Sequence, residues 1–434
     1  MAENGVPFSD RHQLMISSVR WLVRCCYLGM FIQALVINIT PLLFIPLREQ
    51  FGLSFEQIGR LVLVNFLTQM VADLACTALA DRMHPRPLIV AANALSAIGL
   101  WVFAFSPFVL AHPYSGLMAG TVIFSVGCGL LEVLLSPLIN ALPSENKSAA
   151  MAVLHAYYPI GKVAVIVVTG AALYVLGLRA WPWIMALWSL FPVLNTVAFG
   201  MVALPPLADP ERRQTLRSIV RGRPIYLLLA TMALAGAAEV TIAQWTSAYV
   251  ETALGYSKVV ADLVGFLLFG IGMFIGRLWF GWKGGHADLT RVMWISAVLS
   301  GVTCLAMALL PSPLLALLAT GLSGIFVSML WPGTISLSAA RFPLAGASMF
   351  ALLAAAGDFG SGIMPWLVGL IADRVSGAPP AWALAIFGSG LAPQALGLKA
   401  AYLFTAIWPF LLVPFVMALR EPACRSLPPA RAKG

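Results

Sequence analysis

Twelve long apolar segments constrain the fold of this chain more than any other feature of its sequence. A helix needs about 20 largely apolar residues to cross the hydrocarbon core of a bilayer. A window of that length finds segments at 21–47, 57–80, 87–110, 115–142, 150–175, 182–204, 224–249, 260–282, 292–311, 313–338, 347–372 and 399–419. Inside a bilayer the backbone must satisfy its own hydrogen bonds, so these segments are predicted to be helices. We therefore predict an all-α integral membrane protein.

The composition supports a membrane protein and explains the basic charge. The chain is 60% hydrophobic and 10% charged, whereas soluble domains carry about a quarter charged residues. With the N-terminus in the cytoplasm, 18 of the 26 Lys and Arg residues fall on the inner side and 6 on the outer side. This asymmetry predicts cytoplasmic N- and C-termini and a location in the inner (plasma) membrane. The net charge of +9 is thereby explained without a nucleic-acid partner.

The longest internal polar stretch divides the chain into two halves. We predict an N-terminal six-helix bundle at 1–204, a cytoplasmic linker at 205–223, and a C-terminal six-helix bundle with a short tail at 224–434. The halves look like weak repeats, since LREQFGLS (47–54) follows the first segment and YVETALGYS (249–257) follows the seventh. This arrangement resembles the major facilitator superfamily, whose substrate site lies near the midplane between the halves. We expect a monomer in the lipid bilayer that binds a small-molecule substrate.

The turn between segments 2 and 3 carries a second resemblance to this superfamily. TALADRMHPRP (77–87) is similar to its loop signature, Gly-x-x-x-Asp-Arg-x-Gly-Arg, and Asp81 and Arg82 match. GRLWFGWKGG (276–285) occupies the equivalent place in the second half and keeps Arg277. The resemblance implies a cytoplasmic gate loop formed by Asp81, Arg82 and Arg277. An ordinary charged helix end is the alternative.

A more specific motif lies in the fourth segment. GCGLLEVLLSPLI (127–139) resembles the fourth span of the fucose permease family of sugar–proton symporters, with Glu132 and Pro137 matching and Ser136 replacing an Asn. The stretch 321–373 resembles spans 10 and 11 of that family, and 237–257 resembles span 7 of its permease-like members. Its matching landmarks are Pro332, Ser348, Gly357, Pro365, Gly369 and Asp373. Two family positions differ, because Leu42 replaces an aspartate and Tyr158 replaces an asparagine.

Charged residues inside apolar segments are costly and usually line a cavity or meet a partner. Counting about 1.5 Å per residue from the cytoplasmic end places Glu132, Lys162 and Asp358 at depths of about 15, 18 and 16 Å. We therefore predict a Glu132–Lys162 pair, which either is structural or switches partners during transport. We assign proton coupling to Glu132 and Asp358. Asp73, about 10 Å deep, is expected to have a structural role.

The remaining candidates form a predicted substrate site. Trp245 and Gln244 suit a sugar, because an aromatic face stacks on a pyranose and an amide bonds hydroxyl groups; the alternative for Trp245 is a membrane-interface position. Tyr158 lies in the fifth segment, at the position of the resembling family's asparagine. The polar residues of the first segment recur near one face. The predicted substrate-binding residues are Gln33, Asn38, Glu132, Tyr158, Lys162, Glu239, Gln244, Trp245 and Asp358.

Together these features predict a secondary active transporter. It would move a small polar solute, a sugar or a sugar-like compound, by alternating access and with protons. Alternatives are an exporter of amphipathic drugs or lipid-like compounds, a carrier of an anionic solute, which Lys162 permits, and a sensor built on the same scaffold. We expect no enzyme activity, cofactor or metal, because the sequence has no nucleophile constellation, phosphate loop or metal-ligand spacing. The direction of transport stays open.

Overall fold

The part of the chain that the structure describes forms a bundle of twelve helical spans. The computed structural model describes residues 8–80, 84–142, 147–205, 223–283, 288–342 and 346–420, and all regular structure within these ranges is helical. Twelve spans are long and apolar enough to cross a membrane, which confirms the predicted number. Spans 1 to 6 are Val19–Phe51, Phe55–Cys76, Pro85–Phe108, Pro113–Ile139, Val153–Leu176 and Leu178–Met201. Spans 7 to 12 are Pro224–Thr252, Lys258–Phe280, Leu289–Leu309, Pro313–Ser338, Ala351–Gly377 and Pro393–Ala418.

Several helices run beyond the apolar spans that they contain. The first helix extends over Phe8–Phe51, the second over Phe55–Ala80, the fifth over Lys147–Leu176 and the eleventh over Gly346–Gly377. A short helix, Ala381–Phe387, lies between spans 11 and 12. Span 12 begins six residues before the predicted segment, because Pro393 occupies the first helical position, where its missing N–H costs no hydrogen bond.

Three spans are each built from two consecutive helices. Span 6 contains Trp181–Trp188 and Leu190–Met201, and span 12 contains Pro393–Thr405 and Ile407–Ala418. Span 10 contains Pro313–Val327 and most of Leu330–Arg341, which runs three residues beyond it. A proline follows each break, at Pro192, Pro332 and Pro409. Proline lacks an N–H and clashes with the carbonyl four residues earlier. The prolines therefore favour these breaks, although Pro41, Pro137 and Pro365 lie inside continuous helices.

Span 8 has a different irregularity at its start. Lys258–Val260 is followed by a π-helical turn, Ala261–Phe266, and then by the helix Leu267–Lys283. This turn packs against span 5. Single π-helical turns occur often near functional sites, and this one places Phe266 beneath a buried lysine described below.

The two halves meet most closely between spans 2 and 11. Gly59 makes this approach possible, because a Cβ at this position would lie 2.9 Å from the Pro365 carbonyl oxygen and from Trp366 Cα. Within each half, spans 3 and 4, 1 and 5, and 2 and 4 pack together, as do spans 7 and 11, 8 and 10, and 9 and 10. The linker predicted at 205–223 lies, apart from its two end residues, outside the described residues. The exact bounds of the halves stay a prediction.

Hydrogen bonds join the halves at the end where span 1 passes into span 2, which we call the closed end. Asp373 Oδ1 accepts a hydrogen bond from the Phe55 N–H at 3.0 Å, and its Oδ2 accepts one from the Glu56 N–H at 2.6 Å. Trp366 Nε1 donates to Glu56 Oε1 at 2.6 Å. The Arg48 guanidinium lies 3.5 Å from the centre of the Phe55 ring. We call the opposite end, where span 6 finishes and span 7 begins, the linker end.

Candidate functional site

Three carboxyl groups meet between the halves. Asp73 of span 2, Glu132 of span 4 and Asp358 of span 11 each contribute a carboxylate oxygen, and these three oxygens lie within 4.8 Å of one another. Asp73 and Asp358 are buried, at 0% and 2% exposure. We call this group the acid triad. Asp73, for which a structural role is expected, thus lies beside both acids predicted to couple protons.

Small and polar neighbours hold Glu132 in this position. A Cβ at Gly129 would lie 2.7 Å from Asp73 Oδ1, so glycine allows span 4 to approach span 2 at the triad. Gln33 Nε2 of span 1 donates a hydrogen bond of 2.9 Å to Glu132 Oε2. Glu132 therefore receives one neutral donor while two other carboxyl groups stand beside it.

The spacing of the acid triad suits a proton or another cation. Two ionised carboxylates 4.8 Å apart repel each other by about 3.5 kcal/mol at an effective dielectric constant of about 20. A proton on one carboxyl group, or a cation between them, removes that repulsion. Oxygen ligands from three acids also match the preferences of hard metal cations. The sequence did not predict this cluster of three acids, because the acids lie on three separate spans.

A second group of charged residues lines a cleft between spans 5 and 8. Tyr158, Lys162 and Arg277 lie on its wall together with Met273 and Phe274. We call it the basic cleft. The basic cleft lies between the two halves of the bundle, since span 5 belongs to the first half and span 8 to the second half.

The predicted ion pair between Glu132 and Lys162 is not found. Glu132 turns toward Gln33 and the acid triad, whereas the Lys162 ammonium lies 5.4 Å from the centre of the Phe266 ring and 4.9 Å from that of Phe269. The two residues share a depth but point to different neighbours around the bundle. The depth of a residue along its span gives its height in the membrane. It does not give the direction in which the side chain points.

Lys162 is only partly compensated in this position. It is 5% exposed and makes no hydrogen bond or ion pair with any residue that the structure describes. Removing an ammonium from water costs several kcal/mol, and a desolvated cation–π contact returns about 2 kcal/mol. The described residues therefore place no carboxylate in contact with the ammonium, although the charge of Glu239 acts on it.

Arg277 meets Glu239 near the same cleft. Arg277 Nη2 lies 3.3 Å from Glu239 Oε1, and Arg277 Nε donates to the Ser328 carbonyl oxygen at 3.4 Å. Glu239 Oε2 is buried and has no hydrogen-bond partner among the described residues. The resemblance groups Arg277 with the gate loop, of which Asp81 and Arg82 lie outside the described residues. Sequence spacing did not predict the Arg277–Glu239 contact, because 38 residues separate the two side chains.

Tyr158 connects the two groups. Asn38 Nδ2 donates to the Ala34 carbonyl oxygen at 2.8 Å and lies 3.4 Å from the Tyr158 hydroxyl. Glu132, Glu239 and Arg277 are all close enough to Tyr158 for their charges to act on it. Tyr158 thus stands between the acid triad and the basic cleft.

Gln244 and Trp245 lie away from the basic cleft. Trp245 is fully buried against Phe44 and Phe55, with ring centres 5.2 and 5.8 Å away, and its Nε1 donates to the Pro365 carbonyl oxygen at 2.9 Å. In this conformation it lines neither a cavity nor the membrane interface, because the closed end is packed around it. Gln244 Nε2 lies 3.3 Å from the Ile37 carbonyl oxygen, across the two halves.

Comparison with known proteins identifies the family. Residues 26–287, more than half of the chain, match the sequence profile described as Major Facilitator Superfamily. A search of curated proteins found no match.

Three solved transporters share the fold. The chain is similar to a bacterial homolog of the human lysosomal transporter Spinster, in an inward-facing and occupied conformation, with a TM-score of 0.73 and 14% identity over 92% of this chain and 96% of that chain. It is similar to the nucleoside transporter NupG, with a TM-score of 0.70 and 13% identity over 92% and 100% of the chains. It is also similar to the Escherichia coli fucose:proton symporter FucP, with a TM-score of 0.63 and 15% identity over 92% and 98%.

These identities are low, so the structures establish the shared fold and leave the substrate open. The profile match, the twelve spans and the fold agree with one another. The chain belongs to the major facilitator superfamily and is a multi-pass membrane transporter rather than an enzyme.

Proposed function

We propose that this protein moves a small polar solute, a sugar or a sugar-like compound, with protons. The acid triad carries this proposal. Glu132 and Asp358 stand on spans from different halves, with carboxylate oxygens within 4.8 Å. A proton that relieves their repulsion also favours the contact between the halves. Loss of that proton weakens the contact between the two halves. Protonation is thereby coupled to the change between the transporter's conformations.

The orientation proposed from the arginines assigns sides to the two ends. If the linker and both termini face the cytoplasm, the closed end faces outward, and the basic cleft belongs to the cytoplasmic half of the bundle. The hydrogen bonds of Asp373 and Trp366 then hold the outer side shut. We place the protein in the inner (plasma) membrane, as a monomer. Fucose itself is not supported, because Leu42 and Tyr158 stand where the resembling family has an aspartate and an asparagine.

Transport into proteoliposomes tests the proposal. Uptake of radiolabelled fucose, glucose and glucuronate would be measured with an inward proton gradient and, separately, as counterflow without one. We expect gradient-driven accumulation of at least one of these solutes. Glu132→Gln should retain counterflow and lose gradient-driven accumulation, because Gln keeps the shape and the bond to Gln33 but carries no proton. Asp288→Asn, at an exposed helix cap, is the matched control and should behave as the unmodified protein.

Two results would contradict the proposal. One is accumulation by Glu132→Gln that follows the proton gradient as in the unmodified protein. The other is the absence of uptake and counterflow for all three solutes.

A further inference from the structure

We propose that the transported solute carries one negatively charged group, a carboxylate or a phosphate, which binds in the basic cleft between Lys162 and Arg277. This inference rests on the proposed transport function and specifies the class of solute.

The first argument is the position of Lys162. Its side chain lines the cleft and is 5% exposed, and its described contacts are the rings of Phe266 and Phe269. The carboxylate of Glu239 is close enough for its charge to act on Lys162, but it is paired with Arg277. A buried charge normally has an oppositely charged or hydrogen-bonding partner. Phenylalanine rings offer a cation a favourable face and accept no hydrogen bond, so the three ammonium protons stay available to a solute.

The second argument is the balance of charge around the cleft. Lys162 and Arg277 supply two positive charges, and Glu239, bound to Arg277 at 3.3 Å, supplies one negative charge. One positive charge is left over, so a single anionic group restores neutrality. The Tyr158 hydroxyl, on the same wall, offers a donor and acceptor for the polar remainder of such a solute.

The third argument is the location of the two cations. Lys162 is on span 5 of the first half, and Arg277 is on span 8 of the second. An anion held by both would draw the two halves together at the cleft. It would therefore bind more tightly to the conformation in which the two cations are close together.

Equilibrium binding to the purified full-length protein tests the inference without any ion gradient. Isothermal titration calorimetry would compare D-glucuronate and D-glucose 6-phosphate with uncharged D-glucose at constant ionic strength. We expect at least one anion to bind about 10-fold or more tightly than glucose, since loss of a buried charge contact costs at least that factor. Which anion binds more tightly distinguishes carboxylate from phosphate recognition.

Variants of buried lysines supply the controls. Lys162→Gln should abolish the preference for the anion, and Lys162→Arg should retain most of it. Lys399→Gln makes the same change at another buried lysine, whose Nζ lies 3.4 Å from the Ala308 carbonyl oxygen, and should keep the preference. The preference is a ratio of affinities within one variant, so it does not depend on the fraction of folded protein.

Three outcomes would overturn the inference: equal affinities for glucose and both anions, an unchanged preference in Lys162→Gln, or no binding of either anion. Each is distinct from a failure of proton coupling, which appears in gradient-driven accumulation and leaves binding unaffected. Neutral sugar transport with protons, together with equal binding of glucose and glucuronate, would preserve the proposed function and remove this inference.

Discussion

Substitution of Asp373 by alanine should open the closed end. Asp373 of span 11 accepts the N–H groups of Phe55 and Glu56, at 3.0 and 2.6 Å, which are the first residues of the second helix. These N–H groups have no partner within their own helix, and the carboxylate also faces the positive end of the helix dipole. In the open conformation they would bond water instead.

The two bonds set the size of the expected effect. A hydrogen bond to a charged group contributes about 1.5 kcal/mol or more, so Asp373→Ala should disfavour the closed conformation by about 3 kcal/mol. A change of 1.4 kcal/mol corresponds to a factor of ten, so the population ratio of closed to open molecules should fall by about 100-fold.

Spin labels across the closed end would measure this shift. Val109 is 83% exposed in the first half, and Ala378 is exposed just after span 11 in the second. Electron–electron double resonance between labels at these positions, in a background without native cysteines, should show a new population at longer distance in Asp373→Ala. Arg374→Ala, at the adjacent exposed residue, should leave the distances unchanged. Identical distance distributions in Asp373→Ala and the unmodified protein would refute the reasoning.

Three further substitutions should lower thermal stability, measured on purified protein by intrinsic fluorescence. Gly129→Val places a side chain against span 2 beside Asp73 and should cost about 1–3 kcal/mol through overpacking. Trp245→Phe removes the 2.9 Å bond to a buried carbonyl and should cost about 1–3 kcal/mol. Lys258→Met leaves the buried carboxylate of Asp262, 2.6 Å from Lys258 Nζ, without its cation and should cost about 3 kcal/mol.

Matched variants identify the cause of each loss. Gly200→Val, where a Cβ would meet nothing within 4 Å, should be nearly neutral, and equal destabilisation by both valines would exclude overpacking. Trp183 is 70% exposed, so Trp183→Phe should have little effect, and a loss as large as that of Trp245→Phe would argue against the buried bond. Asp262→Asn should restore part of the stability lost in Lys258→Met, and no recovery would contradict the charge argument.

The sequence predicted the spans well, because the requirement for internal hydrogen bonding within a bilayer leaves few alternatives to long apolar helices. It also identified several residues at the contact between the halves. Pro365 accepts the bond from Trp245, and Asp373 caps the second helix. In the sequence, Pro365 and Asp373 are positions that match the resembling family. The structure shows the physical contacts that they make at the closed end.

The partners of the buried charges could not be predicted in the same way. Counting residues gave Glu132 and Lys162 the same depth, yet the direction of a side chain depends on how each span is rotated and tilted against its neighbours. The smaller depth of Asp73 predicts a structural role, although it differs from the depth of Asp358 by only four residues, or about 6 Å. The close approach at Gly129 brings it to Glu132.

The role of Trp245 depends on conformation. A sequence can indicate that an aromatic ring suits a sugar, but the ring is available only when the helices around it are apart. Here Phe44 and Phe55 cover it at the closed end. Conformation, and with it access to such a residue, is a property of the packed halves that no local pattern contains.

Proton movement during solute transport tests the central claim most directly. Proteoliposomes with a pH-sensitive dye inside would receive fucose, glucose or glucuronate without any imposed gradient, and internal acidification would be recorded as solute enters. The account predicts acidification with a transported solute in the unmodified protein, and its loss in Glu132→Gln while counterflow of the same solute persists. Acidification of equal size in Glu132→Gln would show that protons pass by a route that does not need this acid, and the account would be wrong.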